Sequence, residues 1–108
     1  MSKREPGVTD QDLDQLCSLF RLLSDKTRLS VLLKLRTGER NVTMLCDELG
    51  LPQPTVSHHL GLLRMNNLVG NRRHGKQVYY TLHGSVASDS VMRFAVQNLV
   101  VHVQPREN

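Results

Sequence analysis

Gln53, Thr55, Ser57, His58 and His59 crowd the stretch Leu51–Met65, which holds no Asp or Glu and carries Arg64 near its end. Carboxamides, hydroxyls and imidazoles can donate and accept hydrogen bonds, so this cluster can read another hydrogen-bonding edge. In the same stretch Val56, Leu60 and Leu63, with Leu62 less regularly, recur at helical spacing as an apolar stripe. A helix with one apolar face and one acid-free polar face suits the major groove of a duplex. Base edges there present donors and acceptors, and the phosphate walls repel anions. Gln53, Thr55, Ser57 and His58 are the candidates to read bases, because Gln can pair bidentately with adenine and hydroxyls serve either role. His59 and Arg64 are expected mainly to hold phosphates.

Other reactive side chains do not assemble into a catalytic set. The histidines are scattered, no nucleophile–base–orienter trio is visible, and no Gly-rich phosphate loop follows a strand. His58 and His59 are adjacent, so on a helix they point about 100° apart and make a poor metal clamp. An enzyme is the least favoured class.

The segment before the polar cluster, Asn41–Gly50, reads as a short helix ended by Gly50, with Leu51 to Pro54 as the turn. Two short helices joined this way match a helix-turn-helix. Upstream, Thr9 with Asp10 and Asp12 supplies a cap and an acidic first turn. Leu13, Leu16, Cys17, Phe20 and Leu23 then follow helical spacing to about Leu23. Ser24-Asp-Lys-Thr opens a second helix that stops near Thr37-Gly38. Residues 1–8 form a loose arm, and residues 9–104 one domain.

After Asn66-Asn67 the period changes. Leu68–Leu82 has β-branched and aromatic residues on either side of Arg73-His74-Gly75-Lys76, a β-hairpin signal. A hairpin after a helix-turn-helix is a wing, and its tip would carry Arg72, Arg73, His74 and Lys76 to phosphates or the minor groove.

Charge placement agrees. The 108 residues carry 14 Lys+Arg against 10 Asp+Glu, net +4, and the excess is mild. Yet no acidic residue occurs between Leu49 and Ser88, which clears the central block for a polyanion. No run of apolar residues is long enough for a membrane span, and no secretory leader is visible, so a cytoplasmic protein with reduced cysteines and no membrane partner is expected.

From about Ser85 to Val103 the chain reads as a last helix. Val91, Phe94, Ala95, Leu99 and His102 mark one stripe, widened by Val96, Val100, Val101 and Val103. So apolar a helix has little core to cover it in a small domain, and pairing with a second copy buries it. The fold class is therefore mainly α (α+β): a winged helix-turn-helix with a two-stranded β-hairpin wing and terminal dimerisation helices. The expected dimer interface is Leu16, Phe20, Val91, Phe94, Ala95, Leu99 and His102.

Four segments together resemble the ArsR/SmtB family of small winged-helix repressors: Leu22–Leu32, Leu45–Leu60, Leu62–Val69 and Arg73–Leu82. They occur in order, at matching spacing, over nearly the whole chain. The resemblance implies an obligate dimer, joined by its first and last helices, that represses a pseudo-palindromic operator until an effector weakens binding. One departure is Pro52, followed by Pro54, where the family usually has a capping Ser. Pro is tolerated in a helical first turn, whose N–H groups lack internal partners.

Many members of that family sense metals, but the ligands are missing here. The thiolate site that the resemblance places after Gly38-Glu39 falls on Asn41 and Thr43, neither a soft ligand. The last-helix zinc site falls on Asp89, Val91, His102 and Pro105, with His83 and Glu107 off register. Two ligands are too few for a closed tetrahedral centre, so no metal and no cofactor is expected, and His102 reads as an interface histidine. Cys46 takes a position where relatives mostly carry a small core residue, and Cys17 lies on the first helix's stripe; both read as small buried hydrophobes. Two alternatives stay open beside the repressor: a thiol-responsive switch using Cys17 and Cys46, and a winged helix kept as a protein-interaction module.

Overall fold

Residues 7–83 and 92–106 are described by the computed structural model. Helices α1 (Asp10–Leu23), α2 (Lys26–Arg36), α3 (Val42–Leu49) and α4 (Gln53–Met65) come first. An antiparallel hairpin of β1 (Val69–His74) and β2 (Gln77–Leu82) follows, then a second of β3 (Met92–Val96) and β4 (Leu99–Val103). Most of the arm expected over residues 1–8 lies outside the described residues, as do Asp89 and Val91.

Helix starts are fixed by side chains that take up otherwise unpaired N–H groups. At α1 the Thr9 hydroxyl accepts from the Asp12 N–H at 3.1 Å and the Asp12 carboxylate accepts from the Thr9 N–H at 2.9 Å, a capping box. Asp25 caps α2 by accepting from the Arg28 N–H at 3.0 Å, and Asn41 caps α3 by accepting from the Met44 N–H at 2.9 Å. Between α3 and α4, Gly50 adopts a left-handed conformation (φ 66°), and the N–H groups of Gly50 and Leu51 both return to the Cys46 carbonyl. This sharp exit sets the angle of the helix pair. The far end of α4 closes in a Schellman motif in which Asn67, at φ 61°, replaces the usual glycine. Asn67 N–H donates to Arg64 O and Leu68 N–H to Leu63 O, each at 3.0 Å.

One core runs through these elements. Val31, Leu32 and Leu35 of α2 meet Leu45 of α3 and Val56, Leu60 and Leu63 of α4, with Leu68 and Val69 closing the wing side. Leu19 and Leu23 bring α1 onto the same cluster.

The last element differs from the sequence expectation. No helix passes through residues 92–103; that segment is the β3–β4 hairpin, in register from Met92↔Val103 to Val96↔Leu99. The physical reason is a competing period. Met92, Phe94 and Val96 alternate, and Met92 and Phe94 are each 1% exposed in the core. Arg93 and Ala95, between them, face out. The segment is rich in valine, whose branched Cβ favours strands, and Gln97-Asn98 makes the turn, with Gln97 at φ 56°. The supposed interface stripe is thereby split: Phe94 is buried, Leu99 is half-buried, and Ala95 and His102 point outward. Asp12 joins this turn to α1. Its 1%-exposed carboxylate also accepts from the Asn98 backbone N–H at 3.3 Å and Nδ2 at 3.4 Å. The Thr9 N–H first, and the Asn98 donors after it, hold this carboxyl below the usual carboxylate range, against the opposing effect of its burial.

Candidate nucleic-acid interface

The entry to α4 is built without a capping hydroxyl. Pro52 is the N-cap, extended at φ −67° and ψ 152°, and its carbonyl accepts from the N–H groups of Thr55 (3.1 Å) and Val56 (3.2 Å). Pro54, in the first turn, has no N–H to satisfy. Thus the missing Ser leaves few stranded donors, and Gln53 becomes the first helical residue.

With Val56, Leu60 and Leu63 buried, α4 turns Gln53, Ser57, His58 and Arg64 to the surface, while Thr55 is half-buried. His59 is different. It is half-buried, and its Nδ1 lies 3.2 Å from Arg28 Nη1. Guanidinium only donates, so Nδ1 accepts, and the ring braces α4 against α2. Arg28 is held from behind by donating Nε to the Leu22 carbonyl at 2.6 Å. The Arg28 N–H first, with the Arg28 charge and the Thr27 N–H after it, holds the Asp25 carboxyl below its usual range, with burial opposing.

The wing turns on two residues, Gly75 and Lys76, between paired His74 and Gln77. Gly75 supplies a positive φ of 64° and Lys76 does not share it, the pattern of a type II′ turn. Arg73, His74 and Lys76 are exposed at the tip, and among the described residues neither Arg73 nor Lys76 has a carboxylate partner. The His74 ring meets Tyr79 edge-on at 6.5 Å. Arg72 is already engaged. It donates to both Glu39 carboxylate oxygens, Nε at 3.0 Å and Nη2 at 2.5 Å, and stacks 5.7 Å from the centre of the Tyr79 ring. The hydrogen bond and charge of Glu39 raise the Arg72 pKa further above its ordinary value.

Residues 39–41 fasten the wing to the body at three points. Beside the Glu39–Arg72 pair, Arg40 and Tyr80 exchange both backbone hydrogen bonds, at 3.1 and 2.7 Å. Asn41 Nδ2 donates to Gln77 Oε1 at 3.4 Å. The Arg40 side chain turns back to Glu48 at 2.9 Å, which also meets Lys34 at 3.7 Å. Sequence reasoning does not single out Arg28, Glu39 or Arg40. Their only signal is position: Arg28 inside the second-helix motif, and Glu39-Arg40 in the link to the third helix.

The expected thiols divide. Cys46 is half-buried on α3, whereas Cys17 is exposed, contrary to its reading as a core residue; both are free. Cys17 belongs to a surface line on α1 with Leu13 (44% exposed), half-buried Leu16 and Phe20 (51% exposed), beside the buried line of Asp12, Leu19 and Leu23. Among the described residues no group of three or more His, Cys, Asp or Glu could hold a metal ion. His102 stands opposite Arg93 on the outward face of the second hairpin.

A helix pair whose second member, α4, carries no carboxylate, followed by a braced basic hairpin, defines a winged helix-turn-helix. Comparison with known proteins agrees. Residues 25–70 match the profile of the bacterial regulatory protein, arsR family. The HTH-type transcriptional regulator KmtR of Mycobacterium tuberculosis is 44% identical over 72 residues, 64% of this chain and 55% of that protein. The chain thus spans about half of KmtR's length. The biofilm growth-associated repressor of Xylella fastidiosa is 34% identical over 90 residues, 80% of this chain and 79% of its own. Among solved structures, the homodimeric winged helix-turn-helix DNA-binding domain Mb0332 from Mycobacterium bovis superposes with a TM-score of 0.64. It is 32% identical and covers 75% of this chain and 78% of its own. The chain belongs to the ArsR/SmtB family, whose members are transcriptional regulators and not enzymes.

Proposed function

We propose that this protein is a homodimeric, operator-binding repressor of the cytoplasm that an effector releases from a pseudo-palindromic site. The observation that carries the reading is the outer face of α4. Gln53, Ser57 and His58 lie exposed there without a carboxylate, beside wing-tip cations that have no acidic partner among the described residues. Gln53, Thr55, Ser57 and His58 read base edges, while Arg64, Arg73 and Lys76, with His74 at the tip, engage phosphates. Arg72 orients the wing through Glu39, and His59 supports α4 through Arg28.

Dimerisation uses the surface line on α1. Leu13, with Leu16 and Cys17 one turn on and Phe20 a turn further, shares one side of α1, and burial of these residues against a second copy removes apolar surface from water at roughly 25 cal/mol per Å². The relative Mb0332, described as homodimeric, supports a paired state, though not a particular surface. Selection of bound fragments from random duplexes tests the whole reading. Two inverted half-sites, centred about one helical turn or a multiple of it apart, are expected from a two-fold reader. Enrichment of a lone half-site, or of nothing, rejects it.

A further inference from the structure

Gly61 occupies the middle of α4, on the side away from Val56, Leu60 and Leu63. A glycine inside a helix destabilises it relative to alanine, a cost that an internal contact or a left-handed backbone could offset. Here there is neither. Its φ is not left-handed, and a Cβ built on it would meet nothing within 4 Å. Among the described residues no neighbouring element crowds that position. What does surround Gly61 is one turn of its own helix in each direction: Ser57 and His58 before it, Arg64 and Met65 after it. All four are exposed, and Met65 reaches 79%, the highest value among the exposed large hydrophobic residues. Gly61 is therefore the floor of a notch, walled by two hydrogen-bonding side chains on one edge and by a cation and an apolar thioether on the other.

We propose that this notch is the seat for one sugar–phosphate strand of the duplex. This deepens, and rests on, the assignment of α4 as the DNA-facing helix. Without a side chain at Gly61 the strand comes directly against the helix backbone. Arg64 then donates to a phosphate oxygen, and Met65 lies along the apolar edge of a deoxyribose. A methyl group at this point holds the strand off and lengthens the Arg64 hydrogen bond, although it touches nothing in the free protein.

Gly61→Ala tests this with two readouts on the full chain, using a random-sequence duplex and a selected one. The melting temperature is expected to rise by about 4–8 °C, from the helix propensity of alanine in a domain of this size. Affinity for both duplexes is expected to fall by about tenfold or more, the effect of weakening one charge-assisted hydrogen bond in each protomer. The salt dependence stays nearly parallel to the parent's, since no charge is removed. Undiminished affinity in a stabilised variant overturns the seat. A lowered melting temperature overturns the premise that glycine has no internal role. If the unaltered protein retains neither duplex, the DNA assignment of α4 fails, and this is seen before any variant is compared.

Discussion

Salt dependence distinguishes the cations of this surface, because each phosphate neutralised releases counterions and steepens the fall of affinity with salt. Arg64, Arg73 and Lys76 are exposed, and among the described residues none of them is ion-paired, whereas Arg72 is clamped by Glu39. A dimer presenting those three cations twice should lose affinity with a slope of about −5.4 in log–log form, from about −0.9 per phosphate engaged. Raising salt from about 50 to about 200 mM then weakens binding roughly 1,800-fold. Arg73→Ala frees two phosphates per dimer, so the slope falls to about −3.6 and the same salt step costs only about 150-fold. Arg72→Ala should leave the slope within about half a unit of the parent's, because that charge is already matched by Glu39. Fluorescence anisotropy with a labelled random duplex at four or more salt concentrations supplies the slopes, free of any sequence preference. Equal flattening by the two substitutions would refute the reasoning, since Arg72 must then leave Glu39 for the DNA.

Three further outcomes are expected. Gln53→Ala should cost about 1–3 kcal/mol against the selected site and little against random duplexes, relaxing preference at one position of each half-site; uniform loss in a competition assay would move Gln53 to the phosphate group. Phe20→Asp should shift the sedimentation coefficient to that of a monomer while the circular dichroism spectrum is kept, because the side chain is already half exposed; a retained dimer would place the interface elsewhere. Asp12 and Asp25 have carboxyls held below the usual carboxylate range, so their stabilising effect is complete above the unfolded-state value and is lost as pH drops through the lower folded-state values. Melting temperature should therefore fall on going from about pH 5 to about pH 2, and Asp12→Asn should flatten part of that decline. An unchanged acid profile in the variant would contradict the role given to the Thr9 and Asn98 donors.

Much of this architecture is legible because its signals are local. Thr9, Asp25 and Asn41 cap their helices within three residues, Gly50 and Gly75 sit where the backbone needs a positive φ, and the wing announces itself by β-branched and aromatic residues on either side of a polar tip. The second hairpin is not legible in the same way. Phe94 and Leu99 fit a helical stripe as well as a strand, and Gln97-Asn98 lacks the glycine that usually marks so tight a turn. The valines and the alternation of Met92, Phe94 and Val96 are the better guide. Within the candidate site, the acid-free stretch brings out Gln53, Ser57, His58 and Arg64, which do share the surface of α4. The roles of Arg72 and His59 are hidden, because their partners lie 33 and 31 positions away and only the fold brings them together.

The strip from Glu39 to Asn41 has a mechanical consequence. By grasping the wing through a side chain, a backbone pair and a carboxamide, it leaves the hairpin no hinge of its own relative to the second and third helices. In the proposed dimer each subunit would meet its half-site as a stiff reading head. On that proposal, a signal that loosens the regulator from its operator would act most readily on the spacing and tilt between two heads, and would be felt first along the proposed α1 seam.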